Sequence, residues 1–278
     1  MSPNLEQAPE RPLVRYHGGK WRLAPWIIEQ FPEHTVYVEP FGGAASVLLR
    51  KPRCYAEVYN DLDGEMVNLF RVVRDHGCEL YERLDMTPFA RDEFLASYEP
   101  SPDPIEQARR TVARCSMGFG ATALNTSQKT GFRGSSTRDG STPAMDWGRQ
   151  GQNVLSIVER MRGVIIENRD AMEVMAMHDG ADTLHYVDPP YVHDTRTWQG
   201  GKEAYRHELT DDQHRALGTF LGGLKGAVIV SGYPSELYEE LFSGWVRIER
   251  EAMADARAKR VEVLWMRNVR PAAQGVLL

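Results

Sequence analysis

The sequence predicts an α/β fold with a mostly parallel sheet, an antiparallel C-terminal hairpin and an inserted helical region. Short β-branched runs alternate with helix-like stretches toward both ends of the chain, as in βαβ units. The last two runs alternate apolar with polar residues, which favours an antiparallel pair. Between residues 78 and 150 the alternation stops. We therefore expect a disordered leader over 1–12, an α/β domain formed by 13–77 and 151–278, and an inserted region over 78–150.

Composition narrows the classes of protein to consider. At 278 residues, with 42% hydrophobic and 26% charged residues, the chain resembles a globular domain with one large core. No stretch reaches the roughly 20 apolar residues of a membrane span, and the first dozen residues lack a signal-peptide core. Three cysteines without a Cys-x-x-Cys pair indicate a reduced, cytoplasmic setting and argue against structural zinc. The net charge of −6 gives no general preference for polyanions, so basic residues must be examined locally.

The first candidate binding segment is Tyr16-His17-Gly18-Gly19-Lys20, which precedes a helix-like stretch over 21–30. Two glycines followed by lysine at a helix start can hold an anion or let the backbone approach a ligand. The segment is too short for a phosphate-binding P-loop, and a plain loop is the simpler interpretation.

Two β-strand-like runs follow, each ending in a segment suited to a nucleoside ligand. The run 35–39 leads into the glycine turn 40–46 and a predicted helix through Arg50, which is the first half of a nucleotide-type βαβ unit. The second run, 54–59, ends near Asp61, which can accept both hydroxyls of a ribose. The neighbouring Asp63 is better suited to cap the next helix. The absent Gly-x-Gly-x-x-Gly pattern argues against NAD or FAD.

The inserted region contains helix-like pieces over 91–98 and 105–116 and a polar, glycine-rich loop over 125–140. Basic residues flank an aromatic residue in this loop, as in flexible segments that contact nucleic acids. A solvated surface loop is the alternative. The candidates for DNA contact here are Lys129, Phe132, Arg133 and Arg138.

The α/β alternation resumes with a strand over 164–167, which is followed by Asp170, and a buried strand over 183–187. The latter ends at Asp188-Pro189-Pro190-Tyr191 because proline cannot continue a strand ladder. An acid, a stiff carbonyl-rich turn and an aromatic ring then lie at the strand's carboxyl end, where open α/β sheets bind ligands. A simple strand-ending turn would also explain the four residues. The loop that follows, 192–207, adds Arg196 and Lys202 as candidates for DNA contact.

Together these motifs resemble, in type and order, those of the Dam-like (D12, α-group) DNA adenine-N6 methyltransferases. The Gly-Gly-Lys segment is similar to the N-terminal cofactor motif of that class, and 39–46 to its glycine motif. Residues 60–63 resemble the ribose-acid motif, 188–191 the catalytic motif and 260–264 the last strand. The inserted region falls where that class keeps its target-recognition domain. His17 stands where a small residue is commoner.

The resemblance implies a Rossmann-like methyltransferase fold that uses S-adenosylmethionine and no metal. It also implies duplex DNA as partner, in a bacterial or phage-infected cell. The oligomeric state is left open, and a monomer is compatible with it. The resemblance implies catalytic roles for Asp188, Pro189, Pro190 and Tyr191. It implies cofactor contacts from Tyr16, Gly18, Gly19, Lys20, Glu39, Pro40, Phe41, Gly42, Gly43, Ala44, Ser46, Asp61, Leu62, Asp170 and Asp188.

The chemistry of an amino nitrogen is consistent with these residues. The lone pair of adenine N6 is delocalised into the ring, and two acceptors for its hydrogens, Asp188 and the Pro189 carbonyl, would release it. Tyr191 would stack on the flipped base. Cytosine-N4 methylation is the alternative, although those enzymes usually carry Ser-Pro-Pro-Tyr. A non-catalytic DNA-binding protein with a degenerate methyltransferase fold is a third possibility.

Overall fold

The computed structural model describes residues 9–120, 129–134, 141–192, 207–253 and 259–269. These residues form a seven-stranded sheet in the order β3-β2-β1-β4-β5-β7-β6. All pairs are parallel except those that β7 makes with β5 and β6, so the predicted α/β fold with a mostly parallel sheet and an antiparallel hairpin is confirmed. The strands are β1 (Val36–Glu39), β2 (Ala56–Asn60), β3 (Ile165–Glu167), β4 (Thr183–Val187), β5 (Ala227–Gly232), β6 (Val246–Met253) and β7 (Lys259–Arg267).

Helices cover the sheet, and most begin at a polar capping residue. Asp63, Asp103, Thr142, Asp170, Thr210 and Ser235 each accept a backbone N–H at a helix start. None of the helices that the structure describes is long and apolar enough to cross a membrane. The helices are α1 (Ala24–Ile28), α2 (Gly64–Asp85), α3 (Arg91–Ala96), α4 (Pro104–Met117), α5 (Pro143–Trp147), α6 (Gln150–Met161), α7 (Ala171–His178), α8 (Asp211–Gly223) and α9 (Glu236–Leu241).

The centre of the sheet is apolar on both faces. Every residue of β4 and β5 is buried, which explains why these strands read as continuous apolar runs rather than alternating ones. Next to them, β1 pairs with β4 in parallel, with Val36 opposite Thr183. The chain passes from β1 outward to β2 and β3 on one side and from β4 to β5 on the other. The carboxyl ends of β1 and β4 therefore flank the crevice where such sheets bind ligands.

The prediction of a helix after the glycine turn is wrong. Residues 44–50 form consecutive turns instead of a helix. Ala45 has a φ of 52°, in the left-handed region that an α-helix of L-residues cannot use, and this breaks the backbone at the point where the helix was expected. The helix predicted over 21–30 is also shorter, because only Ala24–Ile28 is helical.

The inserted region packs into the same core as the rest of the chain. Its buried residues Phe94, Val112 and Trp147 belong to one hydrophobic cluster with residues of β1 and β2. The boundary predicted between 77 and 78 falls inside α2, which continues to Asp85 after a kink at His76. The described part of the region contains α3, α4 and α5, and the prediction that it forms a separate target-recognition domain stays a prediction.

A buried ion pair also ties the inserted region to the sheet. Arg114 of α4 is 1% exposed and pairs with Glu65 in the first turn of α2, which follows the loop at the end of β2. At the end of the predicted disordered leader, Pro12 contacts α6, where Asn153 Nδ2 donates to the Pro12 carbonyl at 3.3 Å. Residues 1–8 lie outside the described part of the chain.

Candidate active site

The carboxyl ends of β1, β2 and β4 border a cleft of about 440 Å³. Its walls come from the Gly-Gly-Lys segment, the glycine turn, the acid loop after β2 and the Asp-Pro-Pro turn after β4. The structure thus brings together four segments that are far apart in the sequence. The predicted site residues that line the cleft are Tyr16, Gly18, Gly19, Lys20, Glu39, Phe41, Gly42, Gly43, Ala44, Ser46, Asp61, Leu62, Asp188, Pro189 and Pro190.

The Asp61 carboxylate is fixed at one side of this cleft by two backbone groups. Its Oδ2 accepts the N–H of Gly43 at 2.7 Å, and its Oδ1 accepts the N–H of Asp63, also at 2.7 Å. Burial raises the pKa of Asp61 to about 6, against the lowering effect of these hydrogen bonds. Each oxygen retains a lone pair, so the carboxylate can still accept a ligand hydroxyl. Asp63 caps α2, as predicted.

The glycine turn is shaped by the protein's own aromatic rings. A Cβ on Gly42 would lie 2.2 Å from Cε2 of Tyr59, and one on Gly43 would lie 2.8 Å from Cε1 of Tyr16. Gly43 also has a φ of 47°, which favours glycine. The hydroxyl of Tyr59 donates to the Gly43 carbonyl at 2.8 Å and holds the turn on β2. The glycines therefore allow two rings to lie against the turn, besides leaving room for a ligand.

Asp188 is held through one of its two carboxylate oxygens. Its Oδ1 lies 2.8 Å from Nζ of Lys20 and accepts the Ser231 hydroxyl at 2.8 Å. The Ser231 hydroxyl in turn lies 2.9 Å from the Tyr186 hydroxyl. The other oxygen, Oδ2, accepts no hydrogen bond from the part of the chain that the structure describes. The Asp188 side chain is 19% exposed and lines the cleft, so it brings to the cleft wall a carboxylate with one oxygen that has no hydrogen-bond partner among the described residues.

A comparison with known families identifies the class of enzyme to which the chain belongs. The family model for D12 class N6 adenine-specific DNA methyltransferases matches residues 16–256, which is most of the 278-residue chain. The chain belongs to this family. The predicted function, N6 methylation of adenine in DNA, is thereby confirmed, and neither the cytosine-N4 nor the non-catalytic alternative is supported. A comparison with curated protein sequences gave no match.

Tyr191 of the methyltransferase lies behind the Asp188 carboxylate rather than in the cleft wall. Its side chain is 5% exposed, and its hydroxyl donates to Glu262 Oε1 at 3.0 Å. The ammonium of Lys20 hydrogen-bonds to the same hydroxyl. Its ring contacts that of Tyr233, with centroids 4.4 Å apart. The ring predicted to stack on the base is therefore covered in this structure.

Two other predicted cofactor residues lie outside the lining of the described cleft. The Pro40 carbonyl accepts a hydrogen bond from the buried Asn60 at 2.9 Å, which locks the turn after β1 to the end of β2. Asp170 is exposed, and its carboxylate caps α7 by accepting two backbone N–H groups at 2.9 and 3.2 Å. Its contact with a cofactor amino group stays a prediction.

Glu39 contributes a buried, mostly neutral carboxyl group to the cleft. Its Oε2 accepts the Tyr37 hydroxyl at 2.7 Å and the N–H of Leu48 at 2.9 Å. Burial raises its pKa to about 8 despite these two hydrogen bonds. The Glu39 carboxyl group therefore links β1 to Leu48 in the turns that follow. Because of its raised pKa, it carries little negative charge at neutral pH.

Sequence reasoning missed Ser231 and Glu262, which support Asp188 and Tyr191. Ser231 lies toward the end of the continuous apolar run of β5, and Glu262 lies in β7, where a polar residue reads as part of an alternating pattern. Their burial, at 0% and 2% exposure, is the signal that singles them out, and it is visible only in the fold. The residues that α8 and the segment before it add to the cleft, such as His207 and Gln213, were missed as well.

The predicted DNA-contacting residues are only partly described. Lys129 is exposed, with its ammonium 5.5 Å from the ring centroid of Tyr98, and Arg133 Nη1 donates to the Ser116 carbonyl at 3.2 Å. Phe132 is half-buried against Phe89, with ring centroids 5.2 Å apart. It anchors the loop rather than presenting a free ring. Arg138, Arg196 and Lys202 lie outside the described residues.

No group of three or more His, Cys, Asp or Glu residues that could hold a metal ion occurs in the described ranges.

Proposed function

We propose that this methyltransferase takes its methyl group from S-adenosylmethionine in the cleft and transfers it to an adenine flipped out of duplex DNA. The observation that carries the proposal is the hydrogen bonding of the two Asp188 carboxylate oxygens. One of its oxygens is fixed by Lys20 and Ser231, the other accepts no hydrogen bond from the described residues, and Asp188 lines the cleft that also contains Asp61. An acceptor for an amino group thus borders a pocket suited to a nucleoside.

The residues of the cleft fit S-adenosylmethionine. A volume of about 440 Å³ is within the usual range for a small-molecule site. Asp61 would accept the ribose hydroxyls, and the half-buried Tyr16 and Phe41 would supply apolar contact beside the glycine turn. The bound cofactor supplies an electrophilic methyl group on a sulfonium. The main task of the chain is therefore to orient the acceptor nitrogen toward that methyl group.

Asp188 and the turn after β4 would orient the amino group. Oδ2 of Asp188 accepts one N6 hydrogen and the Pro189 carbonyl accepts the other, which favours pyramidal nitrogen and frees its lone pair. The prolines at 189 and 190 restrict the turn because each fixes its own φ. After transfer the nitrogen loses one proton, either to Asp188 or to water.

Base flipping costs a few kcal/mol, and stacking on Tyr191 would offset about 1–3 kcal/mol of it. Since the Tyr191 ring is covered in this structure, stacking requires neighbouring side chains, Tyr233 among them, to move when the base enters. The hydroxyl contacts of Tyr191 with Lys20 and Glu262 would keep the ring beside Asp188 during this change.

The inserted region would act as the target-recognition domain, with Lys129 and Arg133 contacting phosphate or base edges together with Arg138. Arg196 and Lys202 would add contacts from the loop after Tyr191. Replacing Lys129, Arg133 and Arg138 by glutamine should weaken DNA binding and reduce the slope of log affinity against log salt by about 0.9 per lost phosphate contact. An unchanged slope would show that this loop is not the DNA surface.

The role of Asp188 is tested by Asp188→Asn, which keeps the shape of the side chain and removes its charge. We expect methyl transfer to plasmid DNA to fall by about 10²–10³-fold, the size of effect typical for one transition-state hydrogen bond. Binding of S-adenosylmethionine, measured by calorimetry, should fall much less. The control is Asp212→Asn, at an exposed position in α8. Full activity of Asp188→Asn would refute the assignment.

A further inference from the structure

Glu262 is a buried carboxylate that contacts neither substrate nor cofactor in the proposed mechanism. It lies on β7, beside β5, and is 2% exposed. Removing a carboxylate from water costs several kcal/mol unless the group is paired. Its Oε1 lies 3.6 Å from the Lys20 ammonium and accepts the Tyr191 hydroxyl at 3.0 Å. Lys20 is the residue that pairs with Asp188, and Tyr191 ends the turn that Asp188 begins.

The side chains of Lys20, Asp188, Tyr191 and Glu262 form a compact group around the Lys20 ammonium. The Lys20 ammonium is 2.8 Å from Asp188 Oδ1 and also hydrogen-bonds to the Gly18 carbonyl at 3.0 Å. It therefore lies between two carboxylates, one open to the cleft and one buried. Burial and the charge of Asp188 raise the pKa of Glu262, whereas the charge of Lys20 lowers it. Burial is the largest of these effects, and the pKa of Glu262 is raised to about 7.

We propose that Glu262 is a positioning residue for methyl transfer: it shares the charge of Lys20 with Asp188 and fixes the hydroxyl of Tyr191. The inference rests on the proposed function, because it assigns Asp188 as the acceptor for the adenine amino group. Without the Glu262 charge, Lys20 would neutralise Asp188 more completely. The Asp188 Oδ2 would then accept an amino hydrogen less strongly. The Tyr191 hydroxyl would also lose the acceptor that orients its ring.

The test is Glu262→Gln, compared with Glu249→Gln as a matched control. The glutamine in Glu262→Gln has an oxygen that can accept the Tyr191 hydroxyl, but it has no charge. The control position, Glu249, is exposed on β6. Measured above the pKa of Glu262, kcat should fall about tenfold or more, while the KM for DNA and the Kd for S-adenosylmethionine change less than about twofold. Rates are normalised to the folded fraction found by thermal denaturation.

Two further variants separate a charge effect from a loss of stability. Glu262→Asp keeps the charge and shortens the side chain, so its kcat should exceed that of Glu262→Gln. In a Lys20→Met background, Glu262→Gln should lower kcat by a smaller factor than it does in the wild type, because no Lys20 ammonium is left for the two carboxylates to share. A structural role alone would predict additive effects and the same folded-fraction-corrected kcat in all Glu262 variants.

The outcomes distinguish this inference from the proposed function. If the wild type methylates adenine and Glu262→Gln does so at the same corrected rate, the inference is wrong and the proposed function stands. The same holds if Glu262→Asp is slower than Glu262→Gln. If the wild type, supplied with S-adenosylmethionine, transfers no methyl group to adenine in duplex DNA, the proposed function is wrong and the inference fails with it.

Discussion

Ser231→Ala tests how the Asp188 carboxylate is supported. The Ser231 side chain has one proton, which it donates to Asp188 Oδ1 at 2.8 Å. The Tyr186 hydroxyl must therefore be the donor in its 2.9 Å contact with Ser231. Both residues are buried, at 0% and 1% exposure. The substitution to alanine removes the middle of a chain of hydrogen bonds that begins in the core and ends at the active site.

The magnitude follows from these contacts. A hydrogen bond to a charged group contributes about 1.5–3 kcal/mol, and a buried hydroxyl left without an acceptor costs about 1–3 kcal/mol. Taken together, the two losses lead us to expect Ser231→Ala to lower the free energy of unfolding by about 2.5–6 kcal/mol. Because Asp188 loses one of the two groups that fix Oδ1, kcat should fall about tenfold.

Urea denaturation and methyl-transfer kinetics measure the two effects. The control is the double variant Ser231→Ala/Tyr186→Phe, in which no hydroxyl is orphaned. It should be more stable than the sum of the single losses predicts, by about 0.5–3 kcal/mol. A Ser231→Ala protein with wild-type stability and wild-type kcat would refute the role assigned to this chain of hydrogen bonds.

Two other predictions concern the cleft wall. Gly42→Ala places a methyl group against the buried ring of Tyr59, and we expect a loss of about 1–3 kcal/mol in urea denaturation, together with weaker cofactor binding in calorimetry. Gly222→Ala, in open space on α8, should instead stabilise by about 0.5–1 kcal/mol, and equal effects of the two would contradict the packing argument. Glu39, with a pKa raised from 4.5 to about 8, binds its proton more tightly in the folded state, so stability should fall as pH rises between these values, by up to about 1.4 kcal/mol per pH unit. Glu39→Gln should remove this contribution in urea titrations across that pH range, and an unchanged slope would show that Glu39 is not the group responsible.

The presence of the strands and the antiparallel final pair could be predicted because local patterns indicate them. The buried strand was placed at 183–187, which are the bounds of β4 in the structure. The antiparallel pairing of the last two strands also followed from their alternation. Motifs at strand ends could be combined into one site because parallel strands bring their carboxyl ends to the same edge.

The errors have physical causes that sequence patterns do not contain. The helix expected after the glycine turn fails at Ala45, whose left-handed backbone is set by the packing of the turn. The contacts of Tyr191 with Glu262 and Tyr233 join residues far apart in the sequence and were not foreseen, while its stacking on the base stays a prediction. Ser231 was missed because its partner Asp188 is 43 residues away and the two meet only when β4 and β5 pair.

The central claim is that Asp188 serves the methylation of adenine at N6 in duplex DNA. It is tested most directly by sequencing DNA from cells that express the wild type or Asp188→Ala, with detection of modified bases at single-base resolution. We predict N6-methyladenine in wild-type DNA, at sites that reveal the recognition sequence, and none above background with the variant. N4-methylcytosine in place of N6-methyladenine, or equal methylation by both proteins, would contradict the claim.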